Sequence, residues 1–108
     1  MNKFESVLLY SPDLTKTNLS KIEENFKKLL EKSNGSIITE EDWGLRDLSY
    51  NIKNNKKAFY KFYQLEIDGK EIPNIKDSIN KIDQIMRHLF VKVKNHTELP
   101  TKLIKLEN

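Results

Sequence analysis

The sequence predicts an α+β fold of the ferredoxin-like kind, a four-stranded antiparallel sheet with two helices on one face. Strand-like and helix-periodic stretches follow one another in the order βαββαβ. A short polar turn joins the two middle strands, so these should pair as an antiparallel hairpin. Right-handed crossovers would then place both helices on the same face of the sheet. The other face is left open to solvent or to a partner.

The first two elements are predicted from their composition and period. Residues 4–10 are rich in aromatic and aliphatic residues and end at Pro12, and their consecutive apolar residues favour a central strand covered on both faces. Residues 15–33 predict a helix, with Thr15 or Thr17 as its N-cap and Asn34-Gly35 as a left-handed stop. Its apolar stripe consists of Leu19, Ile22, Phe26, Leu29 and Leu30.

The remaining elements follow in order. Residues 36–52 predict one long strand that is interrupted near Gly44, because a glycine inside a strand pattern indicates a bulge or bend. Residues 51–57 form a polar turn with three lysines, and residues 58–67 the next strand. A second helix is expected over 72–82, with Pro73 in its first turn, and a last strand over 84–94. We therefore expect one domain over 1–94 and a tail over 95–108 that is mobile or ordered by a partner.

Composition restricts the class of protein. The 108 residues include 19 basic and 16 acidic side chains, a net charge of +3, which permits a polyanionic partner without requiring one. The absence of cysteine excludes a disulfide framework, a thiolate metal site and a thiol nucleophile. No apolar run is long enough for a transmembrane helix, and the start lacks a secretory signal pattern. We expect a small intracellular domain.

The inventory for catalysis is thin. His88 and His96 are the only histidines; we expect His88 to be an ordinary strand residue and His96 to be solvated. In the acidic run 40–42 only Glu40 and Asp42 would share a face, so a solvated surface is favoured over a metal site. Three unclustered glycines exclude a phosphate-binding loop. We predict a protein that is not an enzyme and that binds no metal or cofactor.

Basic and aromatic residues point to binding instead. Lysines and arginines gather around the predicted hairpin and along the last strand, where they would converge into one basic patch for phosphate contacts. The run of rings from Phe59 to Tyr63 puts aromatic side chains on both faces of one strand. One face can pack under the helices, while the other would be an exposed surface suited to base stacking or protein docking. The sequence does not decide whether the odd-numbered or the even-numbered residues of this strand face the helices.

One segment resembles a known signature. Residues 43–52 (WGLRDLSYNI), followed by 57–60 (KAFY), resemble the pattern of the bacterial small-subunit ribosomal protein S6 family: glycine, one residue, arginine, one residue, Leu-Ala-Tyr-Pro-Ile, a basic turn and a Gly/Ala-aromatic pair. Phe4, Pro12 and Arg87 also fit, so the resemblance extends over residues 3–94. Ser49 replaces the usual alanine and Asn51 the usual proline, which should loosen the entry to the turn.

The resemblance implies a structural ribosomal protein of the cytoplasm. Members of the family bind the central domain of the small-subunit ribosomal RNA together with ribosomal protein S18, as a heterodimer. The motif assigns RNA or partner contact to Arg46 and Arg87. Charge and proximity add six further RNA-binding candidates, Lys3, Lys53, Lys56, Lys57, Lys92 and Lys94. Partner docking is assigned to Tyr50, Tyr60 and Phe62, with a core role as the alternative for each, and Trp43 is expected to be structural.

Two other functions share this order of elements. A single-stranded RNA binder of the RNA-recognition-motif type should present stacking rings from its third strand, yet Lys61 stands at the second stacking position here. A ligand-binding regulatory domain that dimerises through its sheet has no support from the motif, and no glycine-rich loop is present. The ribosomal interpretation is preferred, mainly because of the family resemblance.

Overall fold

A computed structural model describes residues 2–96 of the chain and shows the predicted βαββαβ order. The strands are β1 (Asn2–Tyr10), β2 (Ser36–Ile52), β3 (Asn55–Ile67) and β4 (Ile85–Val93), and the helices are α1 (Lys16–Lys32) and α2 (Ile72–Asn80). One antiparallel sheet has the strand order β2-β3-β1-β4. This is the predicted ferredoxin-like fold. The predicted tail lies outside the described residues from Thr97 onward.

β1 is a central strand, as expected, between β3 and β4. The residues that alternate along it toward the helices, from Phe4 to Tyr10, are buried, whereas Val7 and Leu9 on the opposite face are half-buried. The prediction that both faces are covered is therefore wrong for this strand. Its apolar run has another reason: Val7 and Leu9 form part of an apolar surface on the face that the helices do not cover.

α1 begins and ends where the sequence predicts. The Thr15 side chain accepts a hydrogen bond from the Asn18 amide, which satisfies one of the free donors of the first turn. At the other end Asn34 adopts a left-handed conformation with φ of 61°, and the Gly35 amide donates to the Leu30 carbonyl at 2.7 Å. Phe26 and Leu30 are buried against the sheet. The chain can therefore reverse into β2 directly.

The β2–β3 hairpin is longer than predicted because its turn is tighter. Lys53 and Asn54 both have positive φ, 49° and 65°, and they form a two-residue turn after which β3 starts at Asn55. The predicted irregularity near Gly44 is present: the register shifts between Asp42 and Gly44, and Gly44 has φ of +76°. Two further shifts lie between Ile37 and Thr39 and between Asp47 and Ile52.

The core lies between the sheet and the two helices. Ile72, Ile75 and Ile79 of α2 join Phe26 and Leu30 of α1 over one face of the sheet. A helix of only nine residues that is built on isoleucine depends on this packing, because its own propensity is modest. Within the described residues, no helix is both long and apolar enough to cross a membrane. The opposite face of the sheet carries none of the helices of residues 2–96, and the candidate site lies there.

Candidate nucleic-acid and partner interface

The face of the sheet opposite the helices, here called the open face, is centred on three stacked rings. Trp43 lies parallel to Phe62, with ring centroids 5.6 Å apart and an interplanar angle of 6°, and it also stacks on Tyr60 at 6.4 Å. The register shift between Asp42 and Gly44 makes this possible, because Trp43 is the extra residue of the bulge and turns over the neighbouring strand. We call Trp43, Tyr60 and Phe62 the aromatic stack.

The aromatic stack corrects one predicted role. Phe62 lies on the open face, but its side chain is 2% exposed because the Trp43 ring covers it. It supports the surface and does not form it. Trp43 has the structural position that was expected, 6% exposed beside the bend. Tyr60 is half-buried at the edge of the stack.

Polar contacts hold the Trp43 ring in place. Its indole Nε1 donates to Glu41 Oε1 at 2.6 Å, so the buried donor of the ring is satisfied. Arg46 Nε donates to the Trp43 carbonyl oxygen at 3.0 Å, across the bulge. Arg46 is thereby fixed beside the aromatic stack, at the border of the open face.

A polar trio continues the open face beyond the aromatic stack, and no pattern in the sequence predicts it. Gln64 is 4% exposed, accepts a hydrogen bond from the Thr39 hydroxyl and donates to Glu5 Oε2 at 3.2 Å. These three residues come from β3, β2 and β1, so only the strand register shows that they meet. Because Gln64 is satisfied on both sides, it tethers three strands.

Along β4 the open face carries exposed apolar side chains. Leu89 and Val91 of β4 are 56% and 46% exposed, and by register Leu89 lies beside Val7 of β1. A shallow depression is lined by Val7, Leu9, Trp43, Tyr60, Arg87, His88 and Leu89. Neighbouring exposed apolar side chains of this kind are typical of interaction surfaces, whereas single ones are not. The open face is thus sealed under Trp43 and uncovered along β4.

The tip of the β2–β3 hairpin extends beyond β1 and reaches the start of β4. We call residues 46–58 the hairpin extension. Tyr50 contacts Arg87 of β4: Nη1 of the guanidinium donates to the tyrosine hydroxyl at 2.8 Å, and the guanidinium carbon lies 5.2 Å from the ring centre. Farther along, Lys53 Nζ donates to the Asp83 carbonyl oxygen at 3.5 Å. Tyr50 itself is 57% exposed, so it remains available to a partner.

The predicted basic residues divide between two ends of the sheet, which corrects the expectation of one patch. Arg87 pairs with Leu9 and Lys92 with Phe4, so the two side chains of β4 belong to opposite faces. The end that carries the hairpin extension has Arg46, Lys53, Lys56, Lys57 and Arg87. The far end has Lys3, Lys92 and Lys94. At the first end, Lys57 forms a long ion pair with Asp47, 3.8 Å, between largely exposed side chains.

Lys61 points to the helices and not to the open face. Its ammonium contacts Glu23 of α1 at 2.9 Å and Glu40 of β2 at 3.5 Å. Burial by itself lowers the pKa of this ammonium, but the hydrogen bonds and charges of the two glutamates outweigh burial and raise it. With Lys61 on the other face and Phe62 covered by Trp43, β3 does not present the free stacking pair that a recognition motif for single-stranded RNA requires.

The remaining candidates for chemistry have structural partners. Glu40 bonds Lys61, Glu41 bonds Trp43, and Asp42 Oδ1 accepts from the Gly44 amide at 2.8 Å. No group of acidic and histidine side chains in the described part of the chain has the arrangement of a metal site.

Each of the two histidines has a ring nitrogen within hydrogen-bond distance of an oxygen atom of the chain. His88 is half-buried, with Nε2 3.2 Å from Asn80 Oδ1, and burial and the nearby Lys76 lower its pKa. His96, expected to be solvated, instead lies with Nε2 3.0 Å from the Leu65 carbonyl oxygen.

Known proteins are similar to this chain in sequence and in fold. Residues 3–92 match the sequence profile of the family described as ribosomal protein S6. The small ribosomal subunit protein bS6 of Rickettsia felis is 33% identical over 105 residues, which cover 97% of this chain and 87% of that protein. The bS6 protein of Pelagibacter ubique is 33% identical over 94 residues, 87% of this chain and 78% of that protein.

A solved structure agrees with the fold. The crystal structure of 30S ribosomal protein S6 from Thermotoga maritima superposes with a TM-score of 0.80 at 22% identity, over 85% of this chain and 87% of that one. The relatives are ribosomal proteins and not enzymes, which confirms the expectation of a protein without catalytic activity. The chain therefore belongs to the ribosomal protein S6 family and is a component of the small ribosomal subunit.

Proposed function

We propose that this protein binds the central domain of small-subunit ribosomal RNA together with ribosomal protein S18, as a heterodimer, in the cytoplasmic ribosome. The observation that carries the proposal is the pairing of an uncovered apolar strip with positive charge at its border: Leu89 and Val91 are about half exposed, and Arg46 and Arg87 flank the aromatic stack. An apolar strip suits a protein partner, and arginines at its edge suit phosphate groups.

The partner is proposed to cover the open face along β4 and the exposed ring of Tyr50. Burial of apolar surface stabilises an interface by roughly 25 cal/mol per Å² before the costs of association are subtracted. Tyr60 contributes the accessible edge of the aromatic stack, and Phe62 supports it from beneath. Because Gln64 and Trp43 have their polar groups satisfied within the chain, docking on this face leaves few donors without partners.

The RNA is proposed to bind at the end of the sheet that carries the hairpin extension, where Arg46, Lys53, Lys56, Lys57 and Arg87 lie. The far-end residues Lys3, Lys92 and Lys94 are proposed as a second, weaker set of contacts. A net charge of +3 is small for holding a folded RNA alone, because each phosphate contact adds only about one unit to the salt dependence of binding. A partner that contributes basic groups of its own would supply the rest.

The proposal predicts cooperative binding. A central-domain RNA fragment is titrated with this protein, with S18 and with an equimolar mixture, in one buffer of about 0.15 M salt. We expect weak binding by each protein alone and binding at least tenfold tighter by the mixture. Equal affinity of this protein with and without S18 would overturn the cooperative picture.

A matched pair of variants tests the surface. Leu89→Lys places a charge in the middle of the exposed strip and should abolish the heterodimer in analytical ultracentrifugation. Ile38→Lys is the control, since Ile38 has similar exposure, 47% against 56%, but lies on the edge strand β2, across the sheet from β4. An unchanged affinity for S18 in Leu89→Lys would exclude this face as the docking surface.

A further inference from the structure

One contact of the open face joins two exposed side chains from distant parts of the chain. Tyr50 belongs to the hairpin extension and Arg87 to β4, yet the guanidinium both donates to the tyrosine hydroxyl and lies against the ring. An isolated exposed arginine samples many rotamers, and holding it in one costs entropy. Two contacts of different kind with one partner restrict Arg87 before any ligand arrives.

The backbone is built to bring Tyr50 to this place. Asp47 pairs with Lys57 and Ile52 with Asn55, so four residues of β2 (48–51) lie opposite a single residue of β3 (56). The excess of chain bulges out of the ladder, and Tyr50 is within the bulge. Contacts of Lys53 with Asp83 and of Asn55 with Met86 hold the hairpin extension against the segment that precedes Arg87.

Tyr50 contacts Arg87 without neutralising the positive charge of the guanidinium. Lys57 contacts Asp47 and Lys61 contacts Glu23, so carboxylates partly neutralise those two cations. Among the described residues the contacts of Arg87 are the hydroxyl and ring of Tyr50, which carry no formal charge. The Tyr50 hydroxyl accepts a hydrogen bond from Nη1 only. The other N–H groups of the guanidinium form a planar fork whose geometry matches a phosphate group.

We infer that Tyr50 is a positioning residue for Arg87: its hydroxyl and ring hold the guanidinium, fully charged, at the border of the open face so that it can bind an RNA phosphate. The inference rests on the proposed RNA-binding function and adds a role for Tyr50 that acts through another residue. Because Tyr50 acts by holding the exposed Arg87, its substitution should change the affinity for RNA and not the number of phosphate contacts.

A double-mutant cycle tests this assignment. The central-domain RNA fragment is titrated with heterodimers that contain wild type, Tyr50→Phe, Arg87→Gln or both substitutions, at several salt concentrations. Tyr50→Phe keeps the ring and removes the hydroxyl; we expect about threefold weaker binding with an unchanged salt slope. Arg87→Gln should lower the slope by about 0.7–0.9, the value of one phosphate contact. In the Arg87→Gln background, Tyr50→Phe should have no further effect.

Each alternative result is informative. The affinity of each variant for S18 is measured separately, so that a loss of docking is recognised. Lys28→Gln, on the exposed surface of α1, removes one charge from the opposite side of the molecule and should leave the slope unchanged. A Tyr50→Phe effect that persists in the Arg87→Gln background, or no effect of Arg87→Gln on an RNA that does bind, overturns the inference alone. Absence of RNA binding by the wild-type heterodimer overturns the proposed function and the inference with it.

Discussion

At the scale of single residues, two buried tyrosine hydroxyls link β1 to β3 inside the core. The hydroxyls of Tyr10 and Tyr63 are 2.6 Å apart, and both side chains are almost fully buried. The Phe26 ring packs against Tyr63, with centroids 5.0 Å apart. Burial raises the pKa of both hydroxyls far above 10, the value for an exposed tyrosine, and the negative charges of Glu23 and Glu40 add to the rise.

The tyrosine pair predicts alkaline destabilisation. Above about pH 10 the unfolded chain releases both protons while the folded chain keeps them, so the free energy of unfolding falls by up to about 1.4 kcal/mol per pH unit for each hydroxyl. The double variant Tyr10→Phe, Tyr63→Phe removes both partners and leaves no donor unpaired. Urea unfolding at pH 8, 10 and 11 should show a smaller loss for the double variant. Parallel curves for the two proteins would contradict the prediction.

At the scale of elements, two glycines on β2 and just before it have opposite constraints. Gly44 has φ of +76°, but a Cβ built there meets nothing within 4 Å. At Gly35 a Cβ would lie 2.8 Å from Cδ1 of Ile67, a fully buried core residue. The first glycine is required by the backbone of the bulge, and the second by close packing of the helix end on the sheet.

The two glycines predict two sizes of effect. Gly44→Ala should cost about 1–2 kcal/mol, the price of a left-handed conformation for a residue with a Cβ. Gly35→Ala should cost more, because the overlap forces Ile67 to move within a packed core, about 1–3 kcal/mol from the overpacking alone. Chemical denaturation of both variants measures the difference. The near-ultraviolet spectrum of the Trp43 ring should change in Gly44→Ala only, since the bulge positions that ring. A larger loss in Gly44→Ala would refute the comparison.

The elements were predictable where local chemistry decides them and unpredictable where register decides. The cap at Thr15, the stop at Asn34 and the irregularity at Gly44 each follow from one residue's backbone preference. The tight turn at Lys53-Asn54 lacks the usual glycine, so the sequence predicted a longer turn. The stacking of Trp43 over Phe62 depends on which residue of the bulge is unpaired, and composition does not contain that information.

At the scale of the whole molecule, the sequence predicted the layers but not the grouping of charge. The βαββαβ order and right-handed crossovers were enough to place two helices on one face. The prediction of a single basic patch was wrong because Arg87 and Lys92 are five positions apart along β4, an odd separation that puts them on opposite faces and toward opposite ends of the sheet. The sequence predicted that one face of the sheet is open. Only the structure shows that Trp43 covers one part of this face and that the part along β4 is exposed.

The division of charge between two ends gives a prediction for the whole molecule. Lys56→Gln with Lys57→Gln removes two cations from the hairpin extension, and Lys92→Gln with Lys94→Gln removes two from the far end. Each pair lowers the net charge from +3 to +1, since two positive charges are lost, so general attraction to RNA changes equally.

If RNA binds mainly at the hairpin extension, the first pair should lower the salt slope of the heterodimer by about 1.5, two contacts at roughly 0.7–0.9 each. The second pair should lower it by less than half as much. Equal slopes for the two pairs would mean that net charge, and not the position of the lysines, governs the attraction, and the hairpin extension would lose its assignment as the main RNA contact.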